Sequence, residues 1–223
     1  MTRINRFVAL ATGLSRRAAD TAIGEGRVQV NDTNAQTGQN VTTSDSVTLD
    51  GQPLYAPTIR VVMLNKPVGY VVSREGQGAH TIYALLPPEM HDLKPVGRLD
   101  KNSSGLLLLT NNGALANQLT HPSHRKTKTY EVRLDKPLSV VDRQMIEQGV
   151  QLEDGPSALQ LAALYTGDET AWRVTMQEGR NRQIRRTFQL LGYTVTALRR
   201  TQFGNYALPP DLPTGAYRTV ENH

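Results

Sequence analysis

A chain of 223 residues with 38% hydrophobic and 20% charged side chains has enough apolar material for one large globular domain, or for a medium domain and a small companion. The absence of cysteine excludes disulfides, thiol chemistry and cysteine-bound zinc and suits the cytoplasm. No apolar run approaches the roughly 20 residues of a bilayer span, so no membrane role is expected, and the start MTRINRFVALATGLSRR lacks the apolar core of a signal peptide.

Net charge is +5 and unevenly spread. Residues 1–56 hold five Arg against five acids, whereas Arg173 to Arg200 contains seven Arg against Glu178 alone. Guanidinium forks onto phosphate and stacks on bases, so a nucleic acid is the expected partner.

The first fifty residues read as a compact module. Ile4, Phe7, Val8 and Leu10 have helical spacing, Gly13 ends that helix, and Ser15 caps a second one over Arg16 to Gly24. Short strands follow at Arg27–Asp32, Asn40–Val41 and Ser46–Leu49, with a turn at Asp50-Gly51. The segment QPLYAPT (52–58) has two prolines and no period, which marks a linker.

Beyond it, Arg60–Asn65 reads as a strand and Thr81–Leu86 as a short helix. Leu106–Thr110 is a buried strand or a helix entry, which periodicity alone does not separate. Asn112-Gly113 is a turn before a helix over Ala114–Leu119. Lys128–Leu134 alternates as a strand, and Ser139–Gly149 reads as a helix with Val141, Met145 and Ile146 inward. Strands are expected at Leu159–Tyr165 and Trp172–Met176. The helix Asn181–Leu191 carries Ile184, Phe188 and Leu191 on one face and stops at Gly192. Thr194–Leu198, Gln202–Phe203 and Tyr217–Val220 complete the strands. This mixture indicates an α+β fold with a largely antiparallel sheet.

Four runs stand out: GRLDKNSSGLLLLTNNG (97–113), NKPVG (65–69), KTKTYEV (126–132) and EGRNRQIRR (178–186). Read alone, Asp100 is a turn residue, Lys66-Pro67-Val68-Gly69 a rigid turn, Tyr130 a half-buried strand aromatic and the arginines a solvated face. His121 and His124 lack further ligands and read as loop residues, not a metal site.

Together, in this order, the four runs resemble the RsuA-type ribosomal pseudouridine synthases, and TNNGALANQLTHPS (110–123) is closer to the large-subunit members. The resemblance implies that Asp100 is the nucleophile, that Tyr130 lies against the target nucleotide, and that Arg185 pairs with the catalytic carboxylate. It also implies RNA contacts from Lys66, Arg98, Lys126, Lys128, Arg180, Arg182, Gln183 and Arg186. The stretch LSRRA (14–18) with IGEGRVQVN (23–31) resembles an S4 RNA-binding domain, implying phosphate contacts from Arg16, Arg17 and Arg27. The expected layout is an S4-like domain at 1–52, a linker at 53–59 and a catalytic domain at 60–223, its mixed sheet flanked by helices. The implied activity isomerises uridine to pseudouridine in ribosomal RNA or a ribosome-assembly intermediate, by a cytoplasmic monomer without cofactor or metal. A non-catalytic S4-containing RNA-binding or assembly protein is the alternative; a metal-dependent nuclease would need clustered acids that are not found.

Overall fold

The computed structural model describes residues 1–55, 58–76 and 78–220; Ala56 and Pro57 of the expected linker lie outside the described residues. The chain divides into two compact units, Met1–Ile59 and Arg60–His223.

The first unit runs β1 (Thr2–Arg3), α1 (Ile4–Thr12), α2 (Arg16–Gly24), β2 (Val28–Val30), β3 (Thr33–Asn34), β4 (Asn40–Val41), β5 (Val47–Leu49) and β6 (Gln52–Leu54). Gly13, at φ 78°, ends α1 and donates to the Ala9 carbonyl. The Ser15 hydroxyl caps α2 by accepting from the Ala18 amide at 3.1 Å. Ile4, Val8, Ala19, Ala22 and Ile23 pack on Val28, Val30, Val41 and Val47. The antiparallel sheet has the order β3-β2-β5-β6. Its edge strand β6 corrects the linker expected from residue 53. Pro53 is tolerated there because an edge strand leaves half its amides unpaired.

The second unit contains β7 (Val61–Lys66), β8 (Lys94–Val96), β9 (Ser104–Thr110), α3 (Gly113–Thr120), β10 (Lys128–Leu134), α4 (Val140–Gln148), β11 (Val150–Leu152), β12 (Gly155–Ser157), β13 (Gln160–Ala163), β14 (Ala171–Met176), α5 (Gln183–Leu190), β15 (Val195–Phe203), β16 (Tyr206–Ala207) and β17 (Tyr217–Val220). A mixed sheet has the order β13-β14-β10-β15-β9-β7-β17, with β16 on β15 and β8 on β9. Its pairings are antiparallel except β9 with β15. The fold is α+β.

The Leu106–Leu109 run is strand, because the sheet is covered on both faces. Leu107 and Leu109 join one core with Val62, Leu64, Ile184 and Phe188, while Leu106 and Leu108 join another with Val96, Leu119 and Phe203. The short helix expected over Thr81–Leu86 is a 3-10 helix at Ile82–Leu85. Two expectations need correction. Helix α4 buries Ile146 but leaves Val141 and Met145 exposed, since it lies against the edge strand β13. The strands expected at Thr194–Leu198 and Gln202–Phe203 are one, β15, interrupted by a bulge where Arg200 and Gln202 face the adjacent residues Tyr130 and Thr129.

The parallel contact depends on one glycine. Gly105 has φ 95°, and a Cβ there would sit 2.2 Å from the Arg200 carbonyl oxygen. We expect Gly105→Ala to lose about 3 kcal/mol of stability, measured by urea denaturation; wild-type stability would contradict this close approach.

Candidate active site

Asp100 lies on the loop between β8 and β9, and its neighbours fix that loop carbonyl by carbonyl. The Lys66 ammonium, fully buried at the end of β7, donates to the carbonyls of Ser103 at 2.7 Å, Pro67 at 3.0 Å and Asp100 at 3.1 Å. The Ser103 amide also donates to the Asp100 carbonyl, and the Gly69 amide to that of Lys101. Arg185 Nη2 donates to the Asn102 carbonyl at 2.8 Å. Every carbonyl from Asp100 to Ser103 is therefore held. The Asp100 carboxylate accepts no hydrogen bond and forms no ion pair among the described residues.

Two expectations change here. Lys66 has no ammonium to offer a phosphate; it is a buried clamp. Burial pushes its pKa down to about 8, against the pull of Asp100. Arg185 does not pair with Asp100. Its guanidinium goes to the carbonyls of Val195, at 2.7 Å, and Asn102, because carbonyls of both neighbouring segments lie within its fork. Burial, then repulsion from Arg182, hold its pKa below the ordinary value, with Asp100 opposing.

A cleft of about 1420 Å³ opens above the loop, lined by Arg98, Asp100, Ser103, Lys126, Lys128, Tyr130, Arg180, Arg182, Gln183 and Arg200 among others. Tyr130 is 8% exposed on β10 and shares the cleft with Asp100. Lys66, Arg185 and Arg186 do not line it.

Several expected RNA contacts are committed internally. Asp154, on the β11–β12 hairpin, takes Arg180 at 2.9 Å and Arg186 at 2.7 Å. The Arg186 hydrogen bond is the main reason that the Asp154 carboxyl lies below its usual range. Arg180 also donates to the Gly155 and Pro156 carbonyls. Gln183 is buried and spends its amide on Ser157, Glu178 and the Arg180 backbone. Lys128 donates to the Glu178 carbonyl at 2.9 Å. In the first unit Asp50 grips Arg27 through both carboxylate oxygens, whereas Arg17 makes no side-chain bond among the described residues and Arg16 only a 3.4 Å one to Asn5. Arg98, Lys126 and Arg182 keep side chains without hydrogen bonds or ion pairs among the described residues, at the cleft.

Asp154 and Arg200 were missed in the sequence. Asp154 lies in none of the four marked runs, and Arg200 falls between the strands expected at Thr194–Leu198 and Gln202–Phe203. Only the fold brings them to the cleft.

The fold and cleft define an α+β protein presenting, in one cleft, a carboxylate unpaired among the described residues, a tyrosine and several cations. Residues 60–190 match the family described as RNA pseudouridylate synthase. A protein named ribosomal large subunit pseudouridine synthase B, from Xanthomonas campestris pv. campestris, is 39% identical over 232 residues, covering 96% of this chain. This chain spans 46% of that relative, about half its length. A protein named uncharacterized RNA pseudouridine synthase, from Aquifex aeolicus, is 36% identical, with 98% of this chain and 90% of that one aligned. A crystal structure of a pseudouridylate synthase superposes with a TM-score of 0.70 at 31% identity, covering 99% of this chain and 96% of that one. The chain belongs to the RNA pseudouridylate synthase family.

Because the buried Lys66 ammonium is spent on backbone carbonyls around the loop, Lys66→Met should lower any turnover on RNA about 10²-fold and leave RNA affinity unchanged. A weakened affinity at unchanged turnover would restore the RNA-contact reading. The same variant gives a pH test. The unfolded chain holds this proton up to about 10.4, while the folded chain releases it near 8. The unfolded state therefore binds more protons between those values, so the burial cost is full below pH 8 and fades as pH rises. Thermal melting of wild type relative to Lys66→Met should climb from pH 8 to pH 10; a flat or falling difference contradicts the depressed pKa.

Proposed function

We propose that this chain converts uridine to pseudouridine in ribosomal RNA, preferring large-subunit rRNA, and that Asp100 is the carboxylate that reacts. The observation that carries the reading is the free Asp100 carboxylate on a loop whose carbonyls are all held, in one cleft with Tyr130. The reaction breaks the N1–C1′ bond, turns the base and joins C5 to C1′. The C5 hydrogen leaves as a proton and N1 gains one, so no atom or electron is supplied from outside. An ionised carboxylate suffices, either by attack on the nucleotide or by taking a sugar proton during elimination. Tyr130 offers a ring on which the freed uracil stacks.

A target inside folded RNA has to be flipped out, at a cost of about a few kcal/mol. Phosphate contacts offset it. Arg98, Lys126 and Arg182 have side chains without partners among the described residues, as does Arg17 beside Arg16 on the first unit, which we read as an S4-like RNA-binding module. On this reading the protein acts as a monomer in the cytoplasm.

Chemical mapping of pseudouridine in unmodified small- and large-subunit rRNA tests the activity. Wild type should modify a uridine, and Asp100→Asn should slow it at least about 10³-fold while still binding RNA. A wild type that leaves both rRNAs unmodified would contradict the reaction, and an active Asp100→Asn variant the role of Asp100. Replacing Arg16 and Arg17 together by Glu should weaken RNA binding about tenfold or more and lower the salt slope by about 2, with turnover at saturating RNA unchanged. Wild-type affinity would contradict the docking role of the first unit.

A further inference from the structure

Arg200 is 2% exposed, yet no acid pairs with it among the described residues. Its Nε donates to the Leu106 carbonyl at 2.8 Å, and neither terminal nitrogen has a hydrogen-bond partner among the described residues; Nη2 is wholly buried. The other buried or half-buried guanidiniums beside the cleft differ: Arg180 and Arg186 share Asp154, and Arg185 reaches two carbonyls. The Phe203 ring, 4.9 Å from the guanidinium carbon, offers Arg200 only its π face. Burying an unpaired cation is costly, and negative charge brought to it offsets that cost.

The fold brings Arg200 to the cleft that Asp100 and Tyr130 line. In the sheet it lies directly opposite Tyr130, so the two side chains leave on the same face, and both line the cleft with Asp100. The β15 bulge falls immediately after Arg200, a device that re-aims strand residues. On its other side Arg200 pairs with Gly105, at the exit of the Asp100 loop. The Arg200 charge acts within the cleft: after burial, it is the next cause that lowers the Lys128 ammonium, with Glu178 opposing.

We propose that Arg200 is a further catalytic residue of the pseudouridine-forming reaction, binding the uracil ring and stabilising the negative charge that collects there when the N1–C1′ bond breaks. This rests on the function proposed above. When that bond breaks heterolytically, its electron pair stays with the base and spreads from N1 onto the O2 and O4 carbonyls. A fixed guanidinium among low-dielectric walls stabilises this charge most as it develops. The charge is consumed when C5 bonds to C1′, C5 loses its proton and N1 takes one. A backbone phosphate is the less suitable occupant, since it would meet Arg98, Lys126 and Arg182 at the cleft rim before a side chain buried this deeply.

The test compares the full wild-type chain with Arg200→Met, Arg200→Gln and Arg200→Lys on the rRNA that wild type modifies. It reads single-turnover rate at saturating RNA, RNA dissociation constant and melting temperature. We expect Arg200→Met and Arg200→Gln to slow the reaction about 10²- to 10³-fold, with RNA affinity within about twofold. Their melting temperature should equal or exceed that of wild type, because an unpaired buried charge has been removed; Arg200→Lys should fall between. A wild-type rate in either neutral variant that folds overturns the proposal. So does weakened RNA affinity with an unchanged rate, which would make Arg200 a phosphate contact, or lost activity that merely follows a lowered melting temperature. Should neither neutral variant fold, Arg200 is structural and the proposal fails. If wild type itself isomerises no uridine, the functional reading falls and this inference with it; with an active wild type, the variants bear on Arg200 alone.

Discussion

An ammonium group taken out of water must be given back its hydrogen bonds, and Lys66 receives three of them from backbone carbonyls around a single loop. Two of those carbonyls belong to Asp100 and Ser103, so satisfying one buried charge also fixes the backbone that carries the Asp100 carboxylate. The Gly69 amide and the Arg185 guanidinium fix the two carbonyls between them. Separate parts of the chain, the β7 turn and α5, thus close on four residues. The Asp100 side chain is left free among the described residues while its backbone is held, which is the preorganisation that the proposed reaction needs.

The same logic governs the cations. The arginine-rich stretch from 173 to 200 reads in sequence as a nearly uncompensated positive surface. In the fold, Asp154 reaches it from the β11–β12 hairpin and Glu131 from β10, so Arg180, Arg186 and Arg199 are already paired. The uncommitted charge of the cleft is smaller and better placed: Arg98, Lys126 and Arg182 line it, and Arg200 is buried within it. Rim cations suit phosphates, which are charged at all times. A deep cation suits charge that exists only during reaction.

Much of this was legible in the sequence where the signal is local. Caps such as Gly13 and Ser15, the alternation of Lys128–Leu134 and the face of Ile184 and Phe188 announce their elements, since a helix end or a strand face is decided within a few residues. The motifs also placed Asp100 and Tyr130 in one site. What escaped depends on partners distant in the chain. No spacing says whether the Arg185 fork will find a carboxylate or two carbonyls, nor that Lys66 faces inward. Strand β8, three residues with a proline, exists only because β9 is there to pair with it. The outward Val141 and Met145 reflect a helix resting on an edge strand, which its own periodicity cannot reveal.

Isomerisation replaces the bond from C5 to hydrogen by one from C5 to carbon, and that exchange can be counted. Ribosomal RNA transcribed with tritium at C5 of uridine, incubated with the full chain, should release one equivalent of tritium to water for each uridine modified. Asp100→Asn should release none above background on the same timescale. Tritium retained by RNA after prolonged incubation with properly folded wild type would contradict the assignment of this cleft to pseudouridine formation.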